Sequence, residues 1–169
     1  VAEGIRSTCG LEARIKWPND IVVNGKKVCG MLAEMSTEQD FIHYVVMGVG
    51  INVARQDFPP EIAQIAACLE QECGCTVSRA EIIVSVMKSF EKYYDIFRRD
   101  GNLTGLLERY NGMLAGKDGE VRVLDPKGEY TGISRGINST GELLVERENG
   151  AVEAVYAGEV SVRGLYGYV

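Results

Sequence analysis

Histidine is nearly missing from this 169-residue sequence, which carries one (His43), and tryptophan (Trp17) is equally scarce. With a single histidine a His-based metal site is not expected, since structural zinc takes four nitrogen or sulfur ligands; His43 reads as a strand or surface residue. No apolar run approaches the ~20 residues of a membrane span, and no charged-then-apolar leader opens the chain. Lys and Arg number 18 against 24 Asp and Glu, a net charge of −6 with no basic block, which argues against a grip on nucleic-acid phosphates. These absences predict a soluble, cytoplasmic protein that engages neither membrane nor nucleic acid. The five cysteines are odd in number and follow no regular framework, as in a reducing compartment. Cys73-Gly74-Cys75 has the look of a metal or redox pair, but no second pair or histidine stands near it in sequence to complete a ligand set.

Apolar residues make up 46% of the chain, enough for a real core, and the length suits one medium domain or two small ones. Ala2–Gly10 reads as the last turns of a helix closing at glycine. Ala13–Trp17 is a short strand stopped by Pro18. Ile21–Val23 and Val28–Met35 flank Asn24-Gly25-Lys26-Lys27, and Asn-Gly between β-formers signals a hairpin. The apolar run Phe41–Val49 predicts a strand central in its sheet, leading into Gly48-Val49-Gly50-Ile51-Asn52, where two glycines permit close backbone approach.

Pro59-Pro60 opens a predicted helix over Glu61–Glu72. Ser78 with Glu81 forms a capping box for another that runs to Arg99, its stripe Ile82, Ile83, Val86, Phe90, Tyr93, Tyr94 and Phe97 expected to face the core. A third spans Leu103–Asn111. From about Leu114 the composition shifts to short β-type runs, Val121–Leu124, Tyr130–Asn138, Leu143–Glu146, Val152–Tyr156 and Val160–Val162, separated by turn residues. Five such strands predict a small barrel of the SH3 type. The fold class is therefore α+β, in two units, 1–113 and 114–169.

For chemistry, Lys16 stands out. A lysine at a strand end can hold its ammonium over a pocket while the sheet fixes its stem, and there it can meet a carboxylate or developing phosphate charge. Asn19 and Asp20 follow a proline, and both residue types lock turns through local hydrogen bonds. By themselves these residues define a rigid turn presenting a lysine and a carboxylate, which suits many functions.

The pentapeptide Lys16-Trp17-Pro18-Asn19-Asp20 resembles the signature of biotin protein ligases. Further segments follow in that family's order. Lys27-Val28-Cys29-Gly30-Met31-Leu32-Ala33-Glu34 is similar to its K-x-x-G-[IM]-L-x-E strand, and Gly48–Asn52 to its G-x-G-I-N segment. Gly132–Ile137 and Gly158–Arg163 resemble two landmarks of its C-terminal barrel. The resemblance implies a partial biotin–lipoate ligase mixed sheet with helices, like class II aminoacyl-tRNA synthetases, followed by the SH3-like barrel.

It further implies the substrates biotin and ATP with magnesium, the intermediate biotinyl-AMP, and as acceptor a lysine in the biotin carrier domain of a carboxylase. Lys16 would contact biotin and the adenylate and carry the catalytic charge. Gly30, Leu32 and Gly48 would line the biotin side. Asn19, Asp20, Gly50, Asn52 and Arg163 would stand on the ATP side. Asp20 either orients Lys16, enters the magnesium shell or caps the turn, and no protein cage for a metal is expected. Asn52 is either an adenylate contact or a polar strand end; Arg135 and Arg163 are either solvated or adenylate-side helpers. Relatives often pair through the central sheet, so a homodimer is a further expectation.

The family's Gly/Arg-rich loop, G-R-G-R-x-G-R, has no counterpart between Val1 and Ile15, where Arg6 and Arg14 stand alone. The chain thus reads as a fragment, inactive by itself for want of most of the cationic clamp on an anionic transition state. Two other readings remain open: a lipoate or octanoyl ligase of the same superfamily, and a non-catalytic binding module built on the barrel with Tyr156, Tyr166 and Tyr168.

Overall fold

The computed structural model describes residues 1–39, 41–126, 128–157, 161–164 and 168–169. Helix α1 (Ala2–Cys9) stops at Gly10, as its sequence predicts. Four strands then pair in chain order as an antiparallel meander, β1 (Arg14–Lys16), β2 (Asp20–Val23), β3 (Lys26–Glu38) and β4 (Phe41–Ile51). Asn24 and Gly25 take φ of 49° and 77°, the positive values of a tight hairpin turn, so two residues join β2 to β3 instead of the expected four.

Two expectations for this sheet are corrected. Among the described residues it is not mixed: the strand pairs are all antiparallel, and parallel pairing is confined to isolated bridges at Ile15–Leu114 and Lys27–Ala66. Nor is β4 central, for it is the outermost described strand, with Phe41, Tyr44, Val46 and Met47 exposed. The reason is length. β2 covers β3 only as far as Gly30, whereas β3 and β4 continue to pair with each other out to Glu38 and Phe41.

The predicted helix over 61–72 is also absent as such. Residues 60–65 form turns, Ala67 and Cys68 are buried beside the sheet, and only α2 (Leu69–Cys73) is helical. Pairing wins over helical periodicity here, because Lys27 donates its backbone N–H to Ile65 O and accepts one from Ala67. The capping box does start α3 (Arg79–Asp100), with Ser78 Oγ accepting from the Glu81 backbone N–H at 3.3 Å. Its stripe is only partly used, however: Ile82 is buried and Val86 packs against the core, while Ile83, Phe90, Tyr94 and Phe97 stay exposed. A 3-10 turn (Thr104–Leu106) and α4 (Leu107–Met113) replace the third predicted helix.

The second sheet contains β5 (Glu120–Leu124), β6 (Tyr130–Ile137), β7 (Leu143–Glu146), β8 (Val152–Val155) and β9 (Ser161–Gly164), in the order β8-β7-β6-β5-β9. The expected strand start at Val160 lies outside the described residues. One cluster of buried side chains joins the two sheets, from Ile5, Val28, Leu69 and Ile82 through Met113 and Leu114 to Val123, Leu143 and Val145. Each fully buried aliphatic contributes on the order of 2 kcal/mol. Among the described residues no helix is long and apolar enough to cross a membrane.

Candidate functional site

The pentapeptide turns between β1 and β2, and its rigidity comes from three anchors. The Trp17 side chain is buried, and its indole N–H donates to Gly141 O at 3.0 Å, tying the turn to the second sheet. Asn19 locks the other side: its amide nitrogen donates to Met31 O at 2.7 Å, and its own carbonyl accepts from the Met31 N–H. Ala115 N donates to Ile15 O at 2.7 Å and holds β1 from the far edge. The Trp17–Pro18 peptide is cis.

The antiparallel register then sets four of the expected residues in one row. Lys16 is opposite Asp20, Asp20 opposite Gly30, and Gly30 opposite Gly50. Side chains alternate across a sheet with a period of two, so Leu32 and its partner Gly48 share that face one step further on. The result is a strip of sheet with a lysine and a carboxylate at one end and a nearly bare glycine floor beyond. A flat ligand can lie on backbone there, with Leu32, 62% exposed, beside it.

The charges of this row include one more residue. Lys27, which sequence reasoning did not single out as a site residue, reaches over the glycine floor. A Cβ on Gly30 would stand 2.9 Å from Lys27 Cε and 3.0 Å from its Nζ. That Nζ pairs with Asp20 Oδ1 at 2.6 Å. The other oxygen, Oδ2, accepts from the Tyr168 hydroxyl. Asp20 is buried, and its Oδ1 faces the Lys27 ammonium as an ion pair without accepting a hydrogen bond. Asp20 does not pair with Lys16, because no described carboxylate lies within ion-pair distance of Lys16 Nζ, which sits 4.4 Å from the centre of the Tyr168 ring.

Burial lowers the pKa of Lys16; Asp20 pulls it back up, and the charges of Arg163 and Lys27 add to the lowering. Burial and the neighbouring Asp20 push the Tyr168 phenol up, so it stays protonated and can donate. The positive charges of Lys27 and Arg163 act on Lys16 beside the single carboxylate of Asp20, leaving an excess of positive charge suited to an anionic ligand. The signal that could have found Lys27 was its spacing, three residues before the row glycine.

Other expected residues lie further off. Asn52 follows the row just past the end of β4, but its side-chain amide donates to Ala67 O at 3.1 Å and its backbone carbonyl accepts from the Leu69 N–H, which pins that segment to the sheet. Arg135 is engaged by Glu146 at 2.6 Å and Asp118 at 3.0 Å. Gly158, Glu159 and Val160 of the last landmark, and Tyr166, lie outside the described residues. Tyr156 is exposed and Tyr168 is turned toward Lys16. Cys73 and Cys75 hold their sulfurs 3.4 Å apart as free thiols. Among the described residues no group of three or more His, Cys, Asp or Glu is placed to hold a metal. A cavity of about 230 Å³ on the opposite face, lined by Ile15, Ile21, Met31 and Tyr93, includes none of the expected site residues.

Two family descriptions match this sequence. Residues 3–52 match the Biotin/lipoate A/B protein ligase family, which covers the whole row. Residues 119–163 match the Biotin protein ligase C terminal domain. On these two matches, in this order, the chain belongs to the biotin protein ligases. It is 35% identical over 164 residues to the bifunctional ligase/repressor BirA of Bacillus spizizenii, covering 96% of this chain and 50% of that protein. It is 30% identical over 150 residues to the biotin--[acetyl-CoA-carboxylase] ligase of Mycobacterium tuberculosis, covering 88% and 53%. The chain thus spans about half the length of these relatives. A solved biotin protein ligase from Aquifex aeolicus in complex with biotin and ATP superposes with a TM-score of 0.81 at 26% identity, over 96% of this chain and 67% of that one.

Proposed function

We propose that this chain provides the sheet wall of an active site that makes biotinyl-AMP and passes its biotinyl group to protein. An oxygen of biotin's carboxylate attacks the α-phosphate of ATP and pyrophosphate leaves. A lysine amine of a carboxylase's biotin carrier domain then attacks the acyl carbon, and AMP leaves. The observation that carries this reading is the row Lys16, Asp20, Gly30 and Gly50, with Lys27 lying over the glycine floor.

In this reading the bare floor at Gly48 and Gly50, with Leu32 beside it and Lys27 lying over Gly30, receives biotin and the adenylate. Lys27 and Lys16 hold the negative charge that gathers on the α-phosphoryl group, and fixed cations in a partly desolvated site need no reorganisation as that charge develops. Asp20 orients Lys27. Arg163 adds positive charge from β9, while Asn19 and Asn52 hold the turn and the strand end that frame the adenylate side. Magnesium travels with the phosphates of ATP, with no ligand assigned to it here.

We also read the chain as two units, 1–113 and 114–169, the second an SH3-like barrel, in a cytoplasmic enzyme that forms homodimers through its sheet. A C-terminal domain of the biotin ligase type supports biotin over lipoate as substrate. The test is transfer of labelled biotin to a carrier domain by the full-length polypeptide, challenged with excess lipoate. Biotin transfer unaffected by lipoate is the expected result; competition by lipoate would overturn the choice of substrate.

A further inference from the structure

Lys16 is a partly buried ammonium without a described carboxylate partner, although a buried carboxylate stands opposite it in the register. Such a pair ordinarily closes, since an opposite charge within a few ångströms is the cheapest partner a desolvated cation has. What keeps it open comes from the end of the chain. Val169 packs back against Gly164 of β9, which brings Tyr168 over the pentapeptide. There the Tyr168 hydroxyl donates to Asp20 Oδ2, Lys27 takes Oδ1, and the Tyr168 ring receives the Lys16 ammonium on its face at 4.4 Å. A ring face attracts a cation without supplying a hydrogen-bond acceptor, so the N–H donors of Lys16 remain available.

We propose that Tyr168 is a positioning residue for Lys16: its hydroxyl occupies Asp20 Oδ2 while Lys27 pairs with Oδ1, and its ring holds the Lys16 ammonium open toward an anionic substrate. The role rests on the ligase reading above and adds to it a residue that none of the sequence motifs contains. Among the described residues, the charged and titratable groups that face Lys16 are Asp20 on β2, Lys27 on β3, Arg163 on β9 and Tyr168 itself. Tyr168→Phe keeps the ring and frees one Asp20 oxygen, which then turns to Lys16. That ion pair takes up the donors meant for substrate and also raises the pKa of the lysine.

The test is biotin-dependent ATP–pyrophosphate exchange by the full-length polypeptide, wild type and Tyr168→Phe, measured from pH 6 to pH 11. The variant is expected to lose about tenfold in kcat, the order of one misplaced charge-assisted contact. Its alkaline limb is expected to move to higher pH. A rate ratio depends on the amount of folded enzyme and the position of the limb does not, so a folding defect cannot imitate the second result. Unchanged kcat, or a lower kcat with the limb unmoved, would overturn the positioning role while wild-type exchange upholds the ligase reading. Absence of biotin-dependent exchange in the wild type would overturn both.

Discussion

Gly30 shapes the site without any charge of its own, because it determines what can lie over the sheet. Its missing side chain leaves the space that the Lys27 stem and ammonium fill, and the same bare backbone continues to Gly50. Gly30→Val would push Lys27 off the floor and away from Asp20. The pair of changes, a blocked floor and a displaced cation, predicts a rise of at least about tenfold in the KM for biotin, together with a lower melting temperature because the buried Asp20 carboxylate loses its ion-pair partner. Steady-state kinetics beside a melting curve checks it; wild-type KM in a folded variant would contradict the floor. The Lys27 role was hard to read in sequence for a related reason. A lysine in a β-type run looks like any solvated lysine until the register shows a glycine under its ammonium.

At the scale of elements, the hairpin, the α3 cap and most of the second sheet were legible, because each depends on local signals: Asn24-Gly25, Ser78 with Glu81, and short runs between turns. The 61–72 segment was misread because its apolar spacing is helical while its backbone bonds go to Lys27, a partner 38 to 40 residues upstream that no local pattern announces. The apolar run 41–49 was legible as a strand but not as an outer one, since hydrophobicity alone does not say which neighbour covers a strand.

Helix packing offers a pH test at this scale. Glu3 of α1 meets Arg109 of α4, with Tyr93 of α3 beside them. Burial by itself would raise the Glu3 pKa, yet the Tyr93 hydroxyl and the Arg109 guanidinium together hold it below the usual carboxylate value. A carboxylate with a lowered folded pKa stabilises the protein above its unfolded pKa of about 4.3, and the contribution fades as pH falls through the folded value. Glu3→Gln should therefore melt below wild type at pH 7, and the gap should narrow below about pH 4.5 as wild-type Glu3 takes up its proton. A gap that stays constant across that range would show the carboxylate is not what joins these helices.

For the whole molecule, the decisive arrangement is the joining of the two sheets at the pentapeptide. Trp17 reaches Gly141, Ala115 bonds Ile15, and Tyr168 returns from the chain's end to Asp20. The order of motifs along the sequence pointed to the family. It could not show that β1, β2, β3 and β4 would line up Lys16, Asp20, Gly30 and Gly50, because that alignment is a property of register, including the irregularity between Ile21 and Val22. The central claim, that this row with its two lysines bears the charge of biotin adenylation, is tested most directly by biotin-dependent ATP–pyrophosphate exchange in the full-length polypeptide. Wild type should exchange, and Lys27→Ala and Lys16→Ala should each lose about 10²- to 10³-fold in kcat, the cost of removing one preorganised charge from such a site. Exchange at the wild-type rate in both variants would contradict it.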